Sequence, residues 1–220
     1  MPIFDDRSAA GRQLAADLAT RGYRDPVVLA VPRGGVPVAR EIARTLKAPL
    51  DLIVVRKVGF PGRPELAVAA IVDGDAPRIA WNRELLEAER LSPSDFDAAI
   101  RAETKELARR RRAYLCDRTR VSIPGRTAIV VDDGAATGAS LRAALMGLRR
   151  LRPRAIVVAI PVGSAQAIAE LTDADEVVCL RRPYPFVAVG AHYADFRQVC
   201  DAEVTALLDV AVPAHIEIDR

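Results

Sequence analysis

The sequence predicts an α/β protein, a doubly wound parallel β-sheet flanked by helices, and three observations carry that expectation. Short β-branched runs alternate with stretches of helical apolar periodicity along the chain, the pattern of strand, helix, strand crossovers. Two of the strands, at 27–31 and 128–131, run straight into glycine-containing turns that open helices. With 220 residues, 50% of them hydrophobic, the chain can bury one sizeable core, so a single domain over 1–220 is the simplest organisation.

Residues 7–21 carry Ala10, Leu14 and Leu18 at the spacing of an amphipathic helix, which Gly22 ends. The strand at 27–31 leads into Pro32-Arg33-Gly34-Gly35-Val36-Pro37 and then a helix with Val38, Ile42 and Leu46 on one face. Such a turn offers backbone N–H groups to an anion, and the planar guanidinium of Arg33 suits phosphate oxygens. Taken alone it reads equally well as an ordinary connection with an exposed arginine. Residues 50–55 form an apolar strand ending in Arg56 and Lys57, cations expected at the edge where open α/β sheets bind ligands. Residues 58–65 hold Gly59, Pro61, Gly62 and Pro64, which argues against regular structure and allows either a closing flap or a static loop, with Glu65 as a carboxylate within it.

Strands are expected at 66–72 and 78–81. Residues 82–115 form a helical insert: Ser92-Pro93 supplies an N-cap and a first-turn proline, and Phe96, Ile100, Leu107 and Tyr114 recur at helical spacing. The arginines from Arg109 to Arg112 stand near Glu103 and Glu106 at i, i+3 and i+4, so an ion-paired, solvated face is expected ahead of a ligand or nucleic-acid contact. A helix at 141–151, a strand at 155–160, a turn at 161–164, a short helix to Leu171 and a strand at 176–180 complete the alternation.

The densest chemistry lies at 128–141. Four apolar residues run into Asp132 and Asp133, then into Gly134-Ala135-Ala136-Thr137-Gly138-Ala139-Ser140-Leu141. Small residues let the backbone approach an anion, the following helix offers unpaired N–H groups, and Thr137 and Ser140 add hydroxyls. Two carboxylates beside a phosphate site repel the ligand unless they hold another part of it. A vicinal diol or a hydrated Mg²⁺ meets that condition. A Walker A loop is excluded because Ala139-Ser140 stands where that motif needs Lys followed by Ser or Thr, and GxGxxG is absent from this turn.

These residues resemble the phosphoribosyl pyrophosphate (PRPP) signature of the type I phosphoribosyltransferases. The resemblance implies transfer of the 5-phosphoribosyl group from PRPP to a nitrogenous base, with pyrophosphate leaving and Mg²⁺ as cofactor. It assigns the 5′-phosphate to residues 134–140, the ribose and metal to Asp132 and Asp133, and the pyrophosphate to Arg33, Gly34 and Gly35 with Arg56 and Lys57. It also implies a flap at 58–65 and a C-terminal hood at about 181–200. In that tail, Phe186 and Val187 resemble the pair that flanks the base in purine phosphoribosyltransferases, while His192 and Asp195 read first as packing residues. Enzymes for 6-oxopurines carry an aspartate just before the Thr-Gly; here that position is Ala136, which makes the loop more similar to the adenine type and leaves the base open. A role in nucleotide salvage and a homodimer are compatible with the resemblance. A PRPP sensor that turns nothing over is the rival reading on the same fold.

Composition adds bounds. A net charge of +3 and a pI near 9.0 come from an excess of arginine and suit anionic small molecules as well as nucleic acid. Cys116, Cys179 and Cys200 form no CxxC pair, which favours a reducing compartment. No apolar run approaches the ~18 residues of a spanning helix, so a soluble cytoplasmic protein without a membrane partner is expected.

Overall fold

The computed structural model describes residues 2–60, 62–73, 77–115, 118 and 120–209, with the side chains of 63–66 outside that description. Cys116 and the side chain of Glu65 therefore lie outside the described residues. The elements are α1 (Arg7–Ala19), β1 (Pro26–Ala30), α2 (Gly35–Leu46), β2 (Leu50–Leu52), β3 (Val55–Phe60), β4 (Arg63–Val72), β5 (Arg78–Trp81), α3 (Arg83–Ala88), α4 (Asp97–Leu115), β6 (Thr127–Val131), α5 (Ala139–Arg149), β7 (Ala155–Val162), α6 (Ala165–Ala169), β8 (Glu176–Arg181) and α7 (Asp201–Asp209).

Five strands form a wholly parallel sheet in the order β2-β1-β6-β7-β8. Its central strands are buried on both faces. Val28, Ala30, Ile129 and Val131 point into the core shared with α1 and α2, while Val27, Leu29, Ala128 and Val130 point into the core beneath α5. That alternation is why these strands read as unbroken apolar runs. Successive connections from β1 go to β2 on one side and, later in the chain, to β6 on the other, so β1 and β6 flank the topological switch point. Ala30 is in register with Val131, so the two glycine turns leave the sheet side by side.

The expected strand at 50–55 is in fact two. It ends at Leu52, Ile53 and Val54 cross over, and Val55 starts an antiparallel sheet, β3-β4-β5. Of the segment expected to be irregular, 58–65, residues 58–60 belong to β3 and 63–65 to β4 of that hairpin, while Pro61 lies outside the described residues. Pairing with β4 satisfies the backbone, and register shifts on either side of Gly59 absorb the glycine as a bulge. Val58, Val68, Ala69 and Ile71 bury their side chains with Leu107 of α4, which is what holds the hairpin down. The sheet also rests on α5, where a Cβ at Gly147 would lie 1.6 Å from Val72 Cγ2, so only a glycine permits that approach.

In the helical insert, Ser92 N–H donates to Asp95 Oδ2 at 2.7 Å at the start of a short 3₁₀ turn, and Phe96 and Leu107 are buried as the periodicity required. Beyond β8 the tail returns to the N-terminus: Phe4 N–H donates to the His192 carbonyl at 3.0 Å and Ala194 N–H to the Phe4 carbonyl at 2.8 Å. α7, which the sequence reading passed over, buries Val204 and Leu208 in the main core. Among the described residues no helix is long and apolar enough to cross a membrane.

Candidate active site

The signature turn closes into a small cup of about 130 Å³ walled by Asp132 and by residues 134–141. Its shape is fixed from outside. Ala135 N–H donates to the Val162 carbonyl at 2.9 Å, Ser164 N–H to the Ala135 carbonyl at 2.9 Å, and Ser164 Oγ to the Ala136 carbonyl at 2.8 Å. Gly138 takes φ +67° as it turns the chain into α5, which begins at Ala139. The first amides of α5 thus lie at the cup wall, the setting in which a helix N-terminus binds an anion.

The turn after β1 packs against the acidic pair. A Cβ on Gly34 would lie 2.1 Å from Asp133 Oδ2, and one on Gly35 2.4 Å from the Val131 carbonyl oxygen. These glycines therefore serve close backbone contact between neighbouring strand ends. Arg33, in the same turn, has Nη1 3.5 Å from Asp201 Oδ1 on α7.

Next to the cup lies a cleft of about 170 Å³. Pro32 and residues 53–55 line one side, Arg56, Lys57 and Arg110 bring cationic side chains, and Ser140 and Ala143 of α5 close it. Ser140 lines both spaces. Arg56 and Lys57 reach this place from β3 of the antiparallel sheet, not from the end of a parallel strand as expected.

Residues 4–194 match the phosphoribosyl transferase domain family. The chain belongs to that family. A Mycobacterium tuberculosis protein provisionally named a phosphoribosyl transferase is 46% identical over 212 residues, 96% of this chain and 47% of the relative; the chain spans about half the length of the curated relatives it matches. The crystal structure of TT1426 from Thermus thermophilus is 41% identical with a TM-score of 0.84, covering 94% of this chain and 98% of that one.

Against this phosphoribosyl transferase fold the two carboxylates have different surroundings. Asp132 lies on the cup wall, and burial together with the neighbouring charge of Asp133 pushes its carboxyl well above the usual carboxylate range. Asp133 is also raised by burial, but Arg7 opposes the shift. Arg7, itself buried, donates from Nε to Asp133 Oδ2 at 2.8 Å and from Nη1 to the Arg197 carbonyl at 2.9 Å, and its guanidinium carbon lies 3.8 Å from the centre of the Phe196 ring. Tyr193 Oη donates to the Asp133 carbonyl at 2.6 Å. Asp133 is thus the joint between α1, the signature turn and the returning tail.

Sequence reasoning passed over Arg7 and Tyr193, and read Arg110 as part of an ion-paired run ahead of a ligand contact. Arg7 sits at the start of an amphipathic helix, where a cation carries no sign that it will be buried 126 residues away from its partner. In the tail, Phe186 is half-buried against the His192 ring, with centroids 5.2 Å apart, while Val187 is 80% exposed. His192 is buried and Asp195 is paired with Arg197, so both are held within the returning tail.

Among the described residues no three acidic, His or Cys side chains cluster. Two adjacent carboxylates fit a Mg²⁺ held largely by substrate oxygens, the usual arrangement for that ion on phosphate ligands.

Proposed function

We propose that this chain transfers a phosphoribosyl group from PRPP to a ring nitrogen of a base, purine-like in preference, with pyrophosphate leaving. The observation that carries the reading is the adjoining pair of anion sites: a backbone-lined cup and a cation-lined cleft that share Ser140, with the Asp132 carboxylate on the cup wall. A ligand with phosphate at one end, a diol in the middle and pyrophosphate at the other matches that order of groups.

In this reading, residues 134–140 bind the 5′-phosphate through N–H and hydroxyl donors. Asp132 accepts from the ribose hydroxyls, and Asp133 keeps the turn in place through Arg7. Departure of pyrophosphate breaks its bond to the ribose anomeric carbon and leaves positive charge on the sugar; the base nitrogen lone pair then forms the new bond to that carbon, and the proton of that ring nitrogen is released to solvent. Arg56 and Lys57, together with Arg33 and the Gly34-Gly35 turn that the resemblance assigns to the pyrophosphate, offset the negative charge gathering on the leaving group, a preorganised electrostatic role. Mg²⁺ on the substrate oxygens, held near Asp132 and Asp133, would add charge neutralisation. Phe186 and Val187 stand as the face offered to the base.

An enzyme is preferred to a nucleic-acid-binding sensor because the basic run on α4 is divided between surfaces: Arg110 lines the cleft, whereas Arg111 lies 3.6 Å from Asp73. The test is pyrophosphate release from PRPP and Mg²⁺ with adenine, guanine, hypoxanthine, xanthine, uracil and orotate in turn. Release with one or more bases is expected. PRPP binding without release for any base overturns the enzyme reading in favour of a sensor.

A further inference from the structure

The helical insert packs over the hairpin and also delivers a charge to the proposed site. Glu103, Leu107 and Arg110 share one stripe of α4, at i, i+4 and i+7, and that stripe faces the antiparallel sheet: Leu107 is buried with Val58, Glu103 pairs with Arg56, and Arg110 lines the anion cleft. The neighbouring arginines point elsewhere. Arg109 is 64% exposed and Arg111 turns to Asp73. Helical period thus selects a single member of the arginine run for the cleft.

Both guanidiniums at the cleft rest on carboxylates of the same helix, Arg56 on Glu103 and Arg110 on Glu106 at 3.0 Å. All four side chains keep partial contact with solvent. Ion pairs of this kind are weak and exchangeable. A polyphosphate carries more charge than one carboxylate and presents oxygens that a guanidinium fork can bind in pairs, so it outcompetes the glutamates for the same donors.

We infer that Arg110 is a further ligand for the pyrophosphate group, contributed by the helical insert, and that Glu106 is the counter-ion it exchanges for that group. The inference rests on the phosphoribosyl pyrophosphate reading of the site. It gives α4 a role in binding the leaving group as well as in covering the hairpin.

The test is calorimetry on the whole chain with two probes, pyrophosphate with Mg²⁺ for the cleft and ribose 5-phosphate for the cup, supported by melting curves. Arg110→Gln is expected to weaken pyrophosphate binding about tenfold or more, the loss of a charge-assisted hydrogen bond, and to leave ribose 5-phosphate unchanged. Glu106→Gln is expected to tighten pyrophosphate binding about threefold by freeing Arg110. Arg101→Gln, an exposed change of equal charge on the same helix, is expected to do neither. If wild-type protein binds both probes and Arg110→Gln binds pyrophosphate as well as wild type, Arg110 is not a ligand and the reading of the site stands. Equal loss of both probes with a lowered melting temperature overturns the ligand role in favour of a folding one. Wild-type protein that binds neither probe overturns the reading and the inference together.

Discussion

The two halves of the candidate site are built in opposite ways. The cup is backbone: adjacent parallel strands end in register, and their small-residue turns lock against each other at Gly34, Gly35 and Asp133. The cleft is side chain: Arg56 and Lys57 arrive on an antiparallel hairpin and Arg110 on the insert, each element packed onto the core from outside the parallel sheet. A backbone site is rigid and intolerant of any added atom. A side-chain site tolerates replacement and tunes affinity by degree.

The largest effect should therefore come from one methyl group in the backbone half. In Gly35→Ala the new Cβ meets the Val131 carbonyl and Asp132 Cα, at 2.4 and 2.9 Å, and neither can move without shifting the central strand. A loss of about 3 kcal/mol or more is expected from overpacking at such a site, read in urea melts, together with loss of PRPP binding. Gly35→Ala with wild-type stability would show that the turn has slack, and the contrast between the halves would collapse.

Arg7→Met tests the joint that holds the cup to the tail. It leaves Asp133 buried without its cation, for which about 3 kcal/mol of destabilisation is expected. The sign with pH follows from the carboxyl. Burial already raises the folded pKa of Asp133, and removing Arg7, which lowers it, raises it further. A raised folded carboxyl pKa means the folded state keeps its proton as the unfolded state loses it, so stability falls as pH rises from the unfolded value, about 4, through the folded one. Because the unfolded state is common to both proteins, the destabilisation should be smallest below the wild-type folded pKa of Asp133 and grow as pH rises through that value towards the variant's higher one. Equal loss at all pH values would assign Arg7 to its packing on Phe196 instead.

How much of this was legible in the sequence divides along the same line. The parallel sheet, its helices and the signature turn could be read because local rules fix them: apolar runs make doubly buried strands, and glycines at strand ends make turns. The hairpin could not, because Gly59, Pro61 and Gly62 signal a loop when taken singly, and only pairing with β4 and burial of Val58 against α4 reverse that signal. The α4 ion pairs were half legible. Glu106 meets Arg109 and Arg110 at the expected spacing, whereas Glu103 reaches 47 residues back to Arg56, a contact no local pattern announces. The difference between Asp132 and Asp133 was invisible, since adjacent identical residues are told apart only by what folds around them.

Asp132→Asn separates stability from function within the cup. Burial and the charge of Asp133 hold the Asp132 carboxyl well above its ordinary range, so near neutral pH the ionised form is a strained guest of the fold. The amide removes that charge. The variant is expected to be more stable than wild type at pH 7 in urea melts, alongside loss of PRPP binding in calorimetry. A variant that is both less stable and binding-competent would reverse the assignment of the two aspartates.

The smallest effect is expected in the side-chain half. Glu103→Gln releases Arg56 from a partly exposed ion pair, so stability should change by under about 1 kcal/mol. Pyrophosphate binding should strengthen by about threefold, because Arg56 no longer has to leave a carboxylate to reach the ligand. Weaker binding would mean that Glu103 aims Arg56 rather than competing for it. In that case the cleft is as preorganised as the cup, and the difference between the two halves lies only in which atoms build them.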